Sequence, residues 1–288
     1  MPREIAQLVL NGLMAGTILA VPAIGFTAIY AVLRFPNFAI ASHLTIGAFA
    51  GWLANVSLGL PAALAVGVAF AAAGMVGVVS DELILRPLRP AGALTTAIAA
   101  VALTLVLENV IRFAFGNDLR GYALPIRRDW QVAGLRIAPQ QVQNFGMAIV
   151  AMTAVFLFLA FTRTGKAMRA VADNPTLASV KGIDTDRVAR LTTFVAMGLA
   201  GVGGMLVGLD TSIDPLTGFR VILSVFAAAV VGGLGSIPGA VVGALTIGVG
   251  EELSLLVLAP AYRTVVGFAA ILLVLTLRPR GILGERAY

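Results

Sequence analysis

VILSVFAAAVVGGLGSIPGAVVGALTIGVG, residues 221–250, holds no charged side chain and is interrupted near its middle by Gly232-Gly233-Leu234-Gly235-Ser236-Ile237-Pro238-Gly239. A helix needs about 20 apolar residues to cross the hydrocarbon core of a bilayer. Each flank of the interruption is shorter than that, so the run reads as a broken, glycine-rich helix in a membrane. Irregular backbone survives at membrane depth only where protein or a water-filled cavity satisfies its polar groups, and broken helices of this kind mark transport paths. The competing reading is a seam of small residues for close helix packing. Gly12/Gly16, Gly47/Gly51, Gly204/Gly208, Gly235/Gly239 and Gly239/Gly243 all have the spacing that such packing uses.

Outward from this run the pattern repeats. Charge-free stretches cover Ile5 to Leu33, Phe35 to Ser80, Ala91 to Leu107, Ile137 to Thr162, Leu191 to Leu209 and Thr264 to Leu277. The stretch from Phe35 is long enough for two spans, with a break at Ser57-Leu58-Gly59-Leu60-Pro61 where Gly and Pro favour a turn. The expectation is an all-α polytopic transmembrane bundle of about eight spans, seven to nine depending on how the broken run is counted. Composition agrees: of 288 residues, 59% are hydrophobic and 12% charged, with a mean hydropathy of +0.97. Soluble domains carry roughly twice that share of charge. Disorder, a nucleic-acid-binding module and an outer-membrane barrel are all excluded by hydropathy this high and this continuous. The first run is much longer than the apolar core of a cleavable signal, so it reads as the first span.

The net charge of +6 comes from arginines lying between apolar runs, where positive charge signals topology. If Arg34, Arg86, Arg89, Arg163, Lys166, Arg169, Lys181, Arg187, Arg190, Arg278, Arg280 and Arg286 lie inside, twelve of the 20 basic residues are cytoplasmic. This places the N-terminus outside, the C-terminus inside and residues 116–143 in an external loop. With no cysteine and one histidine, thiol chemistry and a histidine-rich metal cluster are excluded.

Catalytic motifs fail in turn. Gly165-Lys166 is followed by Ala167 and preceded by Ala160 where a phosphate-binding loop needs its first glycine, so ATP is not bound by that route. Gly233-Leu234-Gly235 has Pro238 in place of the third glycine of a dinucleotide fingerprint. Asp210 and Asp214 resemble half of the Mg²⁺ site of a membrane-embedded prenyltransferase, but no second acidic motif accompanies them. Glu108 and Arg112, four apart, read as an intrahelical ion pair. Asn37, Ser42, His43, Thr45 and Ser236 are uncharged hydrogen-bonding groups able to replace a polar solute's water; with Phe38, Gly232, Gly233, Gly235 and Pro238 they form the candidate pathway. A faint similarity links Phe35-Pro36-Asn37-Phe38 to Asp214-Pro215-Leu216-Thr217-Gly218-Phe219, as internal repeats of transporters do.

The most informative loop is residues 162–184, TRTGKAMRAVADNPTLASVKGID. Gly165 to Asp173 reads as a short helix with Ala167, Ala170 and Val171 on a small apolar face, broken by Asn174-Pro175. A second turn from Pro175 to Lys181 ends at Gly182, and Asp184 or Asp186 caps the next span. Such helices lie on headgroups or dock into a partner, and small alanines favour docking.

At this loop the chain resembles a permease of the ABC importer superfamily, the branched-chain amino acid, LivH-type family. The residues that carry the resemblance are Asn11-Gly12-Leu13, Asn37-Phe38-Ala39, Arg86-Pro87-Leu88-Arg89, the loop from Gly165 to Asn174 with Ala178 and Gly182-Ile183-Asp184, the segment Gly232 to Gly239, and the tail Arg278 to Gly284. Where the family continues Asn-Phe-Ala with His-Gly, Ile40-Ala41 stand here and the histidine comes at His43. The resemblance implies one permease domain over residues 1–288 in a bacterial or archaeal cytoplasmic membrane, with residues 163–190 as a cytoplasmic loop carrying the coupling helix. Its coupling residues would be Gly165, Lys166, Arg169, Ala170, Asp173, Asn174, Ala178, Gly182 and Ile183. It further implies a second, LivM-like permease, two LivG/LivF-like ATPases that bind the ATP and Mg²⁺, and an external solute-binding protein. No cofactor is expected in this chain. The solute would be a branched-chain amino acid or a related small polar molecule such as urea, an amide or a small carboxylate. An ion-coupled carrier or channel is the alternative class.

Overall fold

The computed structural model describes residues 2–125, 128–132, 134–259, 262–278 and 280–284. Helix α1 (Pro2–Leu33) fills the first charge-free run. Helix α2 (Ile40–Trp52) continues into a π-helical turn, Leu53–Ser57. Gly59, with φ +66°, then turns the chain into α3 (Ala62–Ser80), as the Gly and Pro there predicted. A second π turn (Asp81–Leu85), α4 (Arg86–Leu88) and a 3-10 turn (Arg89–Ala91) lead to α5 (Ala93–Phe115). Helices α6 (Pro139–Phe161), α7 (Arg163–Asp173), α8 (Pro175–Val180), α9 (Thr185–Asp210), α10 (Thr217–Gly232), α11 (Ile237–Ser254) and α12 (Arg263–Leu277) complete the bundle. Segments Arg3–Leu33, Ala62–Ala91, Ala93–Phe115, Pro139–Phe161 and Thr185–Asp210 are long and apolar enough to cross a membrane, and α10 and α12 are apolar but shorter. The chain is an all-α, multi-pass membrane bundle.

Helix α9 is its hub, because its glycines let three neighbours approach backbone to backbone. A methyl group on Gly204 would overlap the Leu44 carbonyl of α2, and one on Gly47 would overlap Gly201 of α9. Gly203 faces the ring of Pro22 in α1, and Gly198 faces Phe70 of α3. Without a hydrophobic effect between helices in lipid, such close van der Waals contact is a principal source of cohesion. Helices α1 and α11 pair in the same way, Gly12 and Gly16 lying against Val249, Gly248 and Ala244.

The pairing reveals an inverted arrangement. Helices α1, α2 and α3 correspond to α9, α10 and α11: α3 packs on α9 as α11 packs on α1. Asn37 lies four residues beyond the end of α1, and Asp214 four beyond the end of α9.

Four boundaries differ from expectation. The Gly232–Gly239 interruption does break its run, but α10 and α11 fold into an antiparallel hairpin and the turn lies at the end of the bundle that carries α7. The irregular backbone deep in the bundle is Phe35–Ala39 instead. The carbonyl of Phe38 accepts from Thr104 Oγ1 at 3.1 Å, and Thr104 stands eleven residues from either end of α5. In the loop after α5, an antiparallel pair of short strands, β1 (Trp130–Val132) and β2 (Leu135–Ile137), was not anticipated, and α6 begins at Pro139 because proline suits the first helical position. Finally, α7 buries Gly165, Met168 and Val171; Ala167 and Ala170 are only half-buried, because Gly165 must face the backbone of α6.

Gly204→Leu forces α2 from α9 and should cost about 1–3 kcal/mol by overpacking, read as a lower thermal unfolding midpoint in detergent. Gly67→Ala, inside α3 with no neighbouring atom within 4 Å, should leave the midpoint unchanged or raise it, because alanine favours the helix.

Candidate functional site

Two regions concentrate the sequence-predicted residues. The first is the α7–α8 segment at one end of the bundle. Thr162 caps α7 by accepting from the Gly165 amide at 2.9 Å, and Gly165 rests against Phe158 and Leu159 of α6. Asn174 ends α7 and caps α8 by accepting from the Leu177 amide at 2.9 Å. Gly182 adopts φ +85°, the left-handed position after a helix, and Asp184 caps α9 through the Arg187 amide at 3.0 Å. That amide holds the Asp184 carboxyl below the usual carboxylate range. Ala178 is buried, with its carbonyl accepting from the Ile183 amide at 3.0 Å.

The outer surface of this segment is mixed. Lys166, Arg169, Asp173 and Lys181 are exposed, and beside them Leu177 and Val180 are 55% and 77% exposed. These two apolar side chains were missed in the sequence; two large aliphatics in a polar loop were the available signal. Inward of α7 lies a cavity of about 480 Å³, lined by Val32, Leu159, Met168, Arg169, Asp173 and the turn Gly235–Pro238 among others. Gly235, Ser236 and Pro238 thus sit beside the α7 segment. Ser236 caps α11, accepting from the Gly239 amide at 3.2 Å. Gly232 and Gly233 pack on Gly239 and on the tail at Gly281 and Gly284.

The second region is the unwound segment deep in the bundle. Asn37 Oδ1 accepts from the Ala39 amide at 3.1 Å, Ser42 Oγ donates to Ala39 O at 2.8 Å, and His43 Nδ1 lies 2.7 Å from the same carbonyl. Thr45 Oγ1 accepts from the Gly218 amide at 3.0 Å, joining α2 to the start of α10. Phe38 stacks with Phe26 and Phe226 at centroid distances of 6.1 and 5.5 Å. Asn37 and His43 are fully buried; Asn37 Nδ2 has no hydrogen-bond partner among the described residues, and His43 Nε2 faces the Val76 backbone outside hydrogen-bond geometry. The structure brings Asn37, Phe38, Ser42, His43 and Thr45 together and places the glycine-turn residues apart from them.

The far end of the bundle is tied by its loop. Tyr122 Oη donates to Ala48 O at 2.6 Å, Trp52 Nε1 donates to Gly121 O at 3.0 Å, and burial pushes the Tyr122 hydroxyl pKa up. Glu108 pairs with Arg112 at 2.8 Å, as the spacing predicted. Asp214 is engaged by Arg220 and by Thr217 Oγ1 at 3.0 Å. Among the described residues no group of three or more His, Asp or Glu could hold a metal ion.

Residues 8–275 match the family model described as "branched-chain amino acid transport system / permease component". The chain belongs to this permease family. It is 34% identical to the high-affinity branched-chain amino acid transport system permease protein LivH of Escherichia coli K12, covering 97% of this chain and 95% of that one. Identity to BraD of Pseudomonas aeruginosa, with the same description, is 32% over 97% and 95%. For a probable branched-chain amino acid transport permease of Methanocaldococcus jannaschii it is 31% over 96% and 92%. Among solved structures, "PsaBC from Streptococcus pneumoniae in complex with Fab" shares the fold at a TM-score of 0.50 and 15% identity, covering 95% of this chain and 92% of that one. The family is a transport component rather than an enzyme, and a permease component of this kind works with ATPase and solute-binding proteins.

Asn174→Ala removes the α8 cap, worth about 1 kcal/mol. Hydrogen exchange at the Leu177 amide should quicken several-fold while the global unfolding midpoint stays put.

Proposed function

We propose that the chain is a membrane-spanning subunit of an ATP-driven importer of branched-chain amino acids, with α7 and α8 as its coupling element. The observation that carries the reading is the α7–α8 segment: a rigidly capped pair of short helices at one end of the bundle, presenting exposed Leu177 and Val180 among Lys166, Arg169 and Lys181. An aliphatic pair ringed by charge is the composition of a docking patch. Its partner is a cytoplasmic ATPase, which binds the ATP and Mg²⁺ that this sequence has no loop to hold. The α7 end is then cytoplasmic, the N-terminus and residues 116–138 external, and the basic residues at the α7 end agree with that orientation.

A second, LivM-like permease, two LivG/LivF-like ATPases and an external binding protein complete the assembly. Asn37, Phe38, Ser42, His43 and Thr45 form the polar step of the pathway. Buried polar atoms such as Asn37 Nδ2 cost free energy until something pairs with them, and a zwitterionic solute supplies acceptors. Gly232, Gly233, Gly235, Ser236 and Pro238 act at the cytoplasmic mouth, next to the coupling helix. ATP binding biases two arrangements of the bundle through the differential contacts of the docked loop.

Val180→Asp and Arg169→Glu should each reduce ATP-dependent uptake of radiolabelled leucine at least tenfold, with unchanged abundance of the chain in the membrane. Normal uptake in both variants contradicts the coupling assignment.

A further inference from the structure

We propose that Arg34 is a positioning residue that ties the coupling helix to the unwound segment, so that displacement of α7 re-aims Phe35–Ala39 deep in the bundle. The inference rests on the importer reading above. Arg34 is the one non-glycine residue with positive φ among the described residues, at +60°. A side chain with a Cβ is uncommon in that region and stays there because its surroundings hold it. The Arg34 amide closes α1 on the Tyr30 carbonyl at 3.0 Å, as a left-handed residue after a helix does, and its guanidinium reaches across to donate to the carbonyl of Ala172, in the last turn of α7. Carbonyls in the last turn of a helix have no partner inside the helix, so an arginine is a natural cap for them.

The position gives this contact leverage. Arg34 directly follows α1 and directly precedes the unwound segment, whose far end is fixed by Thr104 Oγ1 on the Phe38 carbonyl and by Asn37 on the Ala39 amide. One residue thus joins the end of α7 to a strand of non-helical backbone leading to Asn37 and His43. Beside this contact, where Val32 and Ala172 line a cavity, α7 has room to move. The cavity of about 480 Å³ separates Arg169 and Asp173 from the Gly235–Pro238 turn. A shift of α7 toward that turn draws on the Arg34 side chain, and departure of Arg34 from the left-handed region swings the backbone that follows it.

The test uses the assembled transporter in liposomes with external binding protein and leucine, measuring uptake and ATP hydrolysis together. Arg34→Ala should hydrolyse ATP within about twofold of wild type yet lose uptake at least tenfold. Arg34→Lys, which keeps a donor, should recover part of the uptake. Arg34→Gly, which keeps the backbone conformation without a Cβ, should fail as Ala does. Hydrogen exchange over residues 35–43, with and without a non-hydrolysable ATP analogue, gives a readout independent of turnover. It should respond to nucleotide in wild type and in Arg34→Lys and not in Arg34→Ala. Uptake per ATP equal to wild type in Arg34→Ala, or a retained nucleotide response in its exchange, overturns the proposal. Wild type that takes up no leucine with ATP overturns the importer reading itself, and the proposal with it.

Discussion

Close backbone approach along α9 is the constraint on which the rest of the molecule depends. Gly201 and Gly204 meet Gly47 and the Leu44 carbonyl of α2, while Gly198 and Gly203 receive Phe70 of α3 and Pro22 of α1. In a bilayer, apolar side chains gain little by leaving lipid for each other, so cohesion has to come from tight packing and hydrogen bonds between helices. Glycine supplies the first, and it removes the bulk that would hold the axes apart. Because three helices converge on one, the positions of α1, α2 and α3 relative to each other are fixed through α9. The irregular backbone between α1 and α2 is held within that frame.

The inverted correspondence of α1–α3 with α9–α11 explains why the two connections that follow α1 and α9 have similar chemistry. Asn37 and Asp214 each begin a shorter helix that enters the bundle after a long one ends. The two short helices meet where Thr45 accepts from the Gly218 amide. Elements related in this way exchange environments when a transporter alternates, which is the use that inverted repeats have in carriers generally. The loop after α5 and the α7 segment are pinned to opposite ends of this core, by Tyr122 and Trp52 at one end and by Gly165 and Arg34 at the other.

Much of this was legible in the amino-acid order, and the misses share a cause. Local signals read correctly: Asn174-Pro175 breaks α7, Gly182 ends the turn that follows, Asp184, one of the two aspartates expected to cap the next span, starts α9, and Glu108 finds Arg112. Each depends on residues within four positions. The unwound segment was hidden because its sequence is uncharged and its Phe38 carbonyl is satisfied by Thr104, 66 residues away. The glycine turn advertised a break but not its depth, which is set by how α10 and α11 pack on α1. The buried face of α7 depended on Gly165 meeting α6, a tertiary fact that outweighed the alanine pattern. The family resemblance carried over end to end, while the roles of single residues came only with the geometry.

The most direct measurement is copurification of the tagged chain from its native membrane in mild detergent, followed by reconstitution of whatever is recovered. The account predicts a second hydrophobic permease and two ATPases with phosphate-binding loops, and leucine transport that requires ATP. Recovery of the chain alone, moving solute across liposomes without ATP, would contradict it.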